Sequence, residues 1–260
     1  MATIKLHSNV IGKGTPLLIL HGFLGMGDNW KTVGNFLSEH GYEVHLIDQR
    51  NHGRSPHTPE FSYDVLVEDL HDYIKEQKLN NIILLGHSMG GKTAMEFACH
   101  YPDNVQSLII VDIAPIIYPR HHDDILDALQ YLDFSAYTSR SEVEAALGSK
   151  ISNKAVCLFL MKNVYRKKEG QYELRINLKS LIDNYEEIGR ALEQEQSYLG
   201  PTLFIRGEKS NYINDPMIPR IQSHFPKAEI VGIPNAGHWV HAEAYTEFTT
   251  ELLHFLKNNL

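Results

Sequence analysis

Six short apolar runs recur along the chain, and loop or helix signals follow each of them. Their apolarity is nearly continuous, which is typical of strands buried on both faces of a parallel sheet. The predicted strands are PLLIL at 16–20, EVHLID at 43–48, NIILLG at 81–86, SLIIVD at 107–112, TLFIRG at 202–207 and AEIVGIP at 228–234.

Segments with helical periodicity separate these runs. Trp30, Val33 and Leu37 keep helical spacing up to Gly41, and the C-terminal EAYTEFTTELLHFLKNN is amphipathic. An alternation of buried strands and amphipathic helices predicts a doubly wound α/β fold with a mostly parallel sheet.

The alternation breaks between Ile116 and Leu199. The stretches DDILDALQYL, SEVEAALGS and NKAVCLFLMKNVY all have the helical period, and none of them has the pattern of a core strand. We therefore expect residues 116–199 to form a helical cap, inserted after the strand that ends at Asp112. Residues 1–115 and 200–260 would form the α/β core.

Composition narrows the possible partners. The chain has 24 Lys and Arg against 32 Asp and Glu, a net charge of −8, and no basic patch, which argues against a nucleic-acid partner. Cys99 and Cys157 follow no metal or redox spacing, as expected in a reducing compartment. The N-terminus lacks signal-peptide features, and no apolar run approaches the roughly 20 residues of a membrane span. These features predict a soluble cytoplasmic protein without stable membrane insertion.

Gly86-His87-Ser88-Met89-Gly90 matches the G-x-S-x-G pattern of a nucleophile elbow. A predicted strand precedes it and helix-forming residues follow it, which is the context that the pattern requires. A tight strand-to-helix turn strains the serine backbone and leaves no room for bulky neighbours, so glycines are needed around it. The sequence predicts Ser88 as a nucleophile.

A serine nucleophile needs a general base, and His238 is the best candidate among the 15 histidines. It lies in the small-residue loop PNAGHW, just past the last predicted strand. Ser88 before His238 is also the chain order of α/β hydrolases. We expect the nearby His241 to support this loop rather than to act as the base.

An oxyanion hole requires two N–H donors. Met89 follows the nucleophile and supplies the first, and Phe23, in the HGFLG loop after the first core strand, supplies the second. The Phe23 ring is expected to line the substrate pocket. His87 and Trp239, which adjoin the nucleophile and the base, are expected to contact substrate as well.

The acid that orients the base is harder to assign. In most related enzymes it follows the penultimate strand, but Ser210 stands at that position here. Asp112 ends the neighbouring strand at the edge where ligand-facing residues cluster, so it is the preferred candidate. Glu208 and Asp215 remain alternatives.

Four stretches together resemble the YbfF-type esterase family of α/β hydrolases: HGFLGMGDNW, DQRNHGRSPH, GHSMGGKTAM and NAGHWVHAE. The resemblance implies hydrolysis of carboxylic esters or acyl thioesters, including acyl-CoA-like molecules, with no metal or organic cofactor. The resemblance implies the nucleophile and base roles for Ser88 and His238, and the oxyanion-hole role for the backbone N–H groups of Phe23 and Met89. It also supports Asp112, because these proteins similarly lack an acid after the penultimate strand.

Two polar clusters have competing interpretations. In DQRNHGRSPH, His52 or Arg54 could bind a polar end of a substrate, but a loop held by buried hydrogen bonds is the preferred interpretation. His121-His122-Asp123-Asp124 could suggest a metal site, yet adjacent residues on a helix project in different directions. A solvated helix start is the preferred interpretation there.

Two other functions stay open at this stage. The same residues could serve a carbon–carbon bond hydrolase or a menaquinone-pathway-like lyase, although such enzymes usually keep the acid that Ser210 replaces. A non-catalytic ligand-binding protein on a hydrolase fold is the second alternative. The apolar cap residues that would either enclose an acyl chain or form ordinary core are Phe134, Tyr137, Leu158, Phe159 and Met161.

Overall fold

The computed structural model describes residues 4–259. Its strands are β1 (Ser8–Gly12), β2 (Thr15–Leu20), β3 (Tyr42–Ile47), β4 (Ile82–His87), β5 (Val105–Val111), β6 (Val164–Arg166), β7 (Tyr172–Leu174), β8 (Thr202–Gly207) and β9 (Ala228–Ile233). Its helices are α1 (Lys31–Ser38), α2 (Tyr63–Glu76), α3 (Met89–His100), α4 (Asp123–Gln130), α5 (Arg140–Gly148), α6 (Lys154–Met161), α7 (Leu178–Asp183), α8 (Tyr185–Gly189), α9 (Ile218–His224), α10 (Val240–Glu243) and α11 (Tyr245–Asn258). None of the helices in this described range is long and apolar enough to cross a bilayer.

The main sheet has the strand order β1-β3-β2-β4-β5-β8-β9. Strand β1 pairs antiparallel with β3, and the other neighbours are parallel. The chain runs from β2 outward to β3 and then returns past β2 to β4. Loops that leave the carboxyl ends of β2 and β4 therefore diverge, and such a switch point is where open α/β sheets bind ligands.

This topology confirms the predicted doubly wound α/β fold, and the six predicted strands correspond to β2, β3, β4, β5, β8 and β9. The extra strand β1 was not predicted. Its sequence SNVIG lacks a continuous apolar run because it lies at the sheet edge, where most of its residues are exposed or half-buried.

The segment between β5 and β8 leaves the sheet and contains helices α4 to α8. It also contains an antiparallel ribbon of β6 and β7, in which Val164 pairs with Leu174. The expectation of a purely helical cap is therefore wrong at this ribbon, whose strands of three residues each are too short to have a readable period. We keep the word cap for residues 116–199, whose status as a separate unit stays a prediction.

Three apolar clusters hold these layers together. One packs α2 and α3 on one face of the sheet, and a second packs α1 and α11 on the other face. The third fills the cap and includes six residues of the α/β core: Phe23, Leu24, Phe61, Tyr63, Leu66 and Met89. The cap interior is thus continuous with the residues expected to form the oxyanion hole.

The RNHG motif ties the cap to the core through Asn51. The side-chain amide of Asn51 donates to Ser180 Oγ at 3.0 Å. The backbone carbonyl oxygen of Asn51 accepts from the backbone N–H of Asn177 at 2.9 Å. Asn51 therefore holds two residues near the start of α7. Asn51 has a positive φ of 65°, a conformation that asparagine tolerates better than most residues.

Lys92 of the GGKTAM motif forms a second tie. Its side chain is buried, and Nζ donates to the carbonyl oxygens of Ile116 at 2.6 Å, Gly189 at 3.1 Å and Arg190. Burial lowers the pKa of Lys92 to about 7, while the three carbonyl dipoles favour the ammonium form. The lysine therefore joins α3 to both ends of the cap.

Candidate active site

Ser88 occupies the corner between β4 and α3, with φ 53° and ψ −120°. A non-glycine residue keeps such a backbone only where its surroundings fix it. Here the Ser88 N–H donates to the Val111 carbonyl at 3.1 Å, and the Ser88 carbonyl accepts from the Lys92 N–H at 3.0 Å. The serine consequently lies at the N-terminus of α3, where the free N–H groups and the helix dipole favour negative charge.

The glycines of the motif are required by close backbone approach. A Cβ atom on Gly86 would lie 2.2 Å from the Gly90 carbonyl oxygen, and one on Gly90 would lie 2.4 Å from the Leu20 carbonyl oxygen. Both distances are shorter than any real Cβ contact. The corner can therefore form only with glycine at these two positions, as the sequence predicted.

His238 follows β9 and meets Asp112 at the end of β5. The distance between His238 Nδ1 and Asp112 Oδ2 is 2.7 Å. Asp112 is fully buried, and its carboxylate also accepts from the Gly207 N–H at 3.1 Å and from the Ser210 hydroxyl. Because a carboxylate only accepts, the His238 Nδ1 donates, and Nε2 is left as the basic ring nitrogen.

The two alternative acids lie elsewhere. Glu208 is exposed, and Asp215 forms an ion pair with Arg206 at 2.7 Å with its side chain 79% exposed. Ser210 stands where an acid is more usual and donates its hydroxyl proton to Asp112. The structure thus brings Asp112, and neither alternative, to His238, and the catalytic role of Asp112 stays a prediction.

A cavity of about 730 Å³ joins Ser88 and His238 beneath the cap. Among residues 4–259, no hydrogen bond links the Ser88 hydroxyl to the His238 ring. Contacts of this kind are commonly loose in free enzymes and tighten when substrate binds. A second, enclosed cavity of about 20 Å³ lies on another side of Ser88, between Phe23 and the start of the cap.

Hydrogen bonds fix the backbone of the HGFLG loop after β2. The Gly25 N–H donates to the Gly22 carbonyl at 3.0 Å, and the Leu24 N–H donates to His52 Nε2 at 3.3 Å. The Leu24 carbonyl accepts from the buried cap residue Asn163 at 2.7 Å. Within the described chain the Phe23 N–H donates to no protein group, so it stays available to an oxyanion.

Met89 supplies the matching donor. It is the first residue of α3, and the first N–H groups of a helix have no partner inside that helix. Phe23 and Met89 are both buried next to Ser88 and line the same enclosed cavity. The assignment of their backbone N–H groups to an oxyanion hole stays a prediction.

Comparison with known proteins identifies the family to which this fold belongs. Residues 15–245 match the family described as the alpha/beta hydrolase fold. The chain belongs to the α/β-hydrolase family. It is 32% identical to the esterase YbfF of Escherichia coli over 88% of each protein, which confirms the resemblance to that group.

Two further similarities span nearly the whole of this α/β hydrolase. A Danio rerio protein named sn-1-specific diacylglycerol lipase ABHD11 is 37% identical over 95% of this chain and 80% of its own length. A solved structure named marine microorganism esterase superposes with a TM-score of 0.94 at 43% identity, covering 97% of this chain and 100% of that one.

Of the residues expected to contact substrate, Phe23 and Trp239 line the larger cavity, and Trp239 packs on the cap residue Phe159 with ring centroids 5.4 Å apart. His87 is buried at the cavity wall. Its Nε2–H donates to the His238 carbonyl at 2.9 Å, so the side chain also fixes the backbone of the expected base.

The apolar cap residues divide into two groups. Leu158 and Phe159 of α6 line the cavity that contains Ser88. Phe134 lies at a different surface pocket and packs edge-on against Tyr137, while Met161 is buried in the interior of the cap. Phe134, Tyr137 and Met161 therefore do not line this cavity, and enclosure of an acyl chain by Leu158 and Phe159 stays a prediction.

The DQRNHGRSPH loop is structural at His52. This histidine is fully buried, its Nδ1–H donates to the Arg50 carbonyl at 2.8 Å, and its Nε2 accepts from Leu24. Arg50 makes a buried two-point ion pair with Asp69 at 2.7 Å. Arg54 has a half-exposed side chain beside Asp28, outside the cavity around Ser88.

The segment around His121 and His122 leads into helix α4, as predicted, but His122 is only partly exposed to solvent. It is half-buried, lies against Phe23 and bonds to Tyr185, and it lines both cavities that reach Ser88. His121 bonds to the hydroxyl of Tyr212. Within residues 4–259, no group of three His, Cys, Asp or Glu side chains is arranged to hold a metal ion.

Tyr212 is a site residue that the sequence did not reveal. Its ring stacks on His238, with centroids 4.0 Å apart and planes at 21°. It lies in the loop after β8. The sequence signal in that loop was Ser210, two residues earlier, which stands at the usual position of the acid. The stacking restricts rotation of the His238 ring toward one face of the site.

Four histidines close to the site residues are held neutral. Burial lowers the pKa of His21 to about 4 and the pKa values of His52, His122 and His241 to about 3. His241 stacks on Trp30 with ring centroids 3.9 Å apart, and its expected support of the His238 loop stays a prediction. These rings are uncharged in the folded state at neutral pH.

The buried histidines predict an acid-sensitive fold. In the unfolded chain a histidine binds a proton near pH 6.5, whereas folded His241 does so near 3, so stability falls as pH drops through this window. Replacing His241 with Phe should keep the stacking on Trp30 and remove one of these protons. The free energy of unfolding of His241→Phe should then fall by about 2 kcal/mol less than that of wild type between about pH 7 and pH 5.

Urea unfolding at several pH values measures this difference. His254→Phe, at an exposed position of α11, is the matched control and should follow the wild-type curve. Parallel pH curves for wild type and His241→Phe would contradict the assignment of a neutral His241.

Proposed function

We propose that this chain is a serine hydrolase that cleaves carboxylic esters, or acyl thioesters, through an acyl-enzyme on Ser88. The observation that carries the proposal is the meeting of three elements at one sheet edge. Ser88 lies at the start of α3, His238 lines the same cavity, and the buried Asp112 accepts from His238 Nδ1 at 2.7 Å. The relatives named esterase and lipase support the same reaction.

The reaction begins with proton transfer. His238 Nε2 takes the Ser88 hydroxyl proton while Oγ forms a bond to the ester carbonyl carbon. The carbonyl π electrons move to oxygen, and the Phe23 and Met89 N–H groups stabilise that oxyanion. Asp112 keeps the proton on Nδ1 and stabilises the imidazolium.

Collapse of the tetrahedral intermediate breaks the bond to the leaving alkoxide or thiolate. The leaving group takes the proton from His238 Nε2, and the acyl group stays on Ser88. Water then adds to the acyl-enzyme with His238 again as base, and the carboxylic acid departs as Ser88 regains its proton. Apart from substrate and water, every group named in this cycle belongs to the chain.

The cavity suggests where an apolar substrate chain would lie. On its cap side it is lined by Ile125, Val156, Leu158, Phe159 and Leu160. We infer that an acyl or alkyl chain occupies this side, with the reacting carbonyl toward Phe23. A diacylglycerol, the substrate in the name of the Danio rerio relative, is one molecule of this class. A cytoplasmic location stays a prediction.

A fluorophosphonate probe tests the enzyme against the two alternatives. Wild type should be labelled covalently and should hydrolyse short p-nitrophenyl esters, while Ser88→Ala should lose labelling and turnover and keep its fold. A carbon–carbon hydrolase or a lyase would be labelled but leave the esters and acyl-CoAs intact. A ligand-binding protein without catalysis would be neither labelled nor active, and ester turnover by Ser88→Ala would overturn the mechanism.

Asp112→Asn should lower kcat strongly, because asparagine cannot stabilise the imidazolium and its amide favours the wrong tautomer of His238. We expect a loss of about 10²- to 10⁴-fold, with little change in KM. Glu208→Gln and Asp215→Asn are matched controls at exposed positions and should keep activity near wild type. A mild effect of Asp112→Asn together with a large effect of either control would reassign the acid.

Phe159→Ala should change the preference for acyl chain length, since it enlarges the apolar side of the cavity beside Trp239. Longer p-nitrophenyl esters should gain kcat/KM relative to shorter ones by about 3- to 10-fold. Phe134→Ala removes the same side chain from a cap position outside this cavity and should leave the ranking unchanged. Equal rankings for both variants and wild type would limit the cap to a structural role.

A further inference from the structure

The hydrogen bonds around Tyr185 determine the tautomer of His122. The Tyr185 hydroxyl oxygen accepts from the backbone N–H groups of His121 at 3.3 Å and His122 at 3.1 Å. The same hydroxyl lies 2.6 Å from His122 Nδ1. A phenol has one proton and two acceptor sites, so with both sites filled its proton goes to Nδ1. The proton of the neutral His122 ring is therefore on Nε2.

His122 Nε2 is open to the cavities. It has no hydrogen-bond partner in the part of the chain that the structure describes, and it is not among the buried unpaired polar atoms there, so solvent can reach it. The residue lines both the cavity of about 730 Å³ and the enclosed cavity of about 20 Å³ beside Ser88. The ring also lies 5.1 Å from the Phe23 ring, centroid to centroid.

The other polar side chains around the enclosed cavity already have partners. The Tyr63 hydroxyl donates to the Ile188 carbonyl at 2.9 Å, and the Tyr118 hydroxyl donates to the Tyr212 carbonyl. The Tyr212 hydroxyl bonds to His121 Nε2. Apart from the Ser88 hydroxyl, the His122 Nε2–H is the uncommitted side-chain donor among the described residues that line this cavity.

We propose that His122 is a specificity-determining residue whose Nε2–H donates to a second oxygen of the substrate, separate from the reacting carbonyl. The substrate class is then an ester with an additional hydrogen-bond acceptor, such as an ether, ester or hydroxyl oxygen, near the reacting centre. A plain hydrocarbon chain that displaces solvent from this donor leaves it unpaired. The proposal rests on the proposed ester hydrolysis and adds a selection among esters.

Sites that hydrogen-bond a substrate discriminate against analogues that lack the bonding atom. Leaving one neutral donor unpaired on binding corresponds to about a 10- to 100-fold loss in kcat/KM. Wild type should therefore prefer an acceptor-containing ester over its hydrocarbon isostere by that factor.

Two matched substrate pairs test the preference, one for each side of the ester. On the acyl side, p-nitrophenyl 3-methoxypropanoate is compared with p-nitrophenyl pentanoate, which replaces one oxygen by a methylene. On the alcohol side, 2-methoxyethyl butanoate is compared with butyl butanoate. Each enzymatic ratio is divided by the ratio for hydroxide-catalysed hydrolysis, and homologues with the ether oxygen moved by one carbon locate the acceptor.

His122→Phe keeps a flat ring against Phe23 and removes the donor. In this variant the preference for the ether esters should fall to about 1, mainly through the ether substrates, while the hydrocarbon esters keep their kcat/KM within about 3-fold. His122→Gln retains an N–H donor and should keep part of the preference. His254→Phe, at an exposed position of α11, is the control for the exchange of histidine for phenylalanine and should behave as wild type.

The outcomes separate the two proposals. If wild type hydrolyses no ester, the proposed function fails. If it hydrolyses both members of every pair and His122→Phe leaves all ratios unchanged, the inference about His122 fails and the hydrolase stands. Long-range ¹H–¹⁵N spectra of histidine-labelled wild type supply a test that needs no variant: the His122 proton should be on Nε2, and a proton on Nδ1 would overturn the inference.

Discussion

The left-handed backbone of Ser88 is the constraint on which the rest of the site depends. It turns the chain from β4 into α3 within a single residue, and this is possible only because Gly86 and Gly90 let backbone approach backbone. The turn brings the start of α3 against the end of β2, where a Gly90 Cβ would collide with the Leu20 and His21 carbonyl oxygens. The HGFLG loop that follows β2 is thereby fixed beside the serine.

The sequence predicted the parts of the site that local physics determines. Strands buried on both faces leave apolar runs, and the elbow leaves glycines, so β4, Ser88 and α3 were readable. The loop positions of His238 and Phe23 followed from their places after β9 and β2. Contacts made over long sequence separations left no local signal: Tyr212 on His238, Asn163 on Leu24 and Tyr185 on His122 all join segments that no periodicity relates. The β6–β7 ribbon was not predicted because each of its strands has only three residues, too few to show a period.

The position of the carboxylate that contacts His238 shows how one arrangement can be built from different strands. Parallel neighbours β5 and β8 end at the same edge of the sheet, so a carboxylate after either strand can reach a histidine after β9. Here the carboxylate comes from Asp112, and Ser210 after β8 donates a hydroxyl to it instead. A serine where the acid is usual therefore keeps the carboxylate hydrogen-bonded without placing a second negative charge beside it.

The neutral histidines near the site likewise avoid placing an unfavourable charge beside His238. In the proposed mechanism an imidazolium forms on His238 during acyl transfer, and any positive charge held nearby would oppose it. His21, His52 and His122 each have ring nitrogens that bond to backbone or hydroxyl groups, and burial keeps all three uncharged. They provide polar, rigid packing without charge. His238, whose ring is paired with the buried Asp112 carboxylate, is the histidine that the proposed mechanism uses as its base.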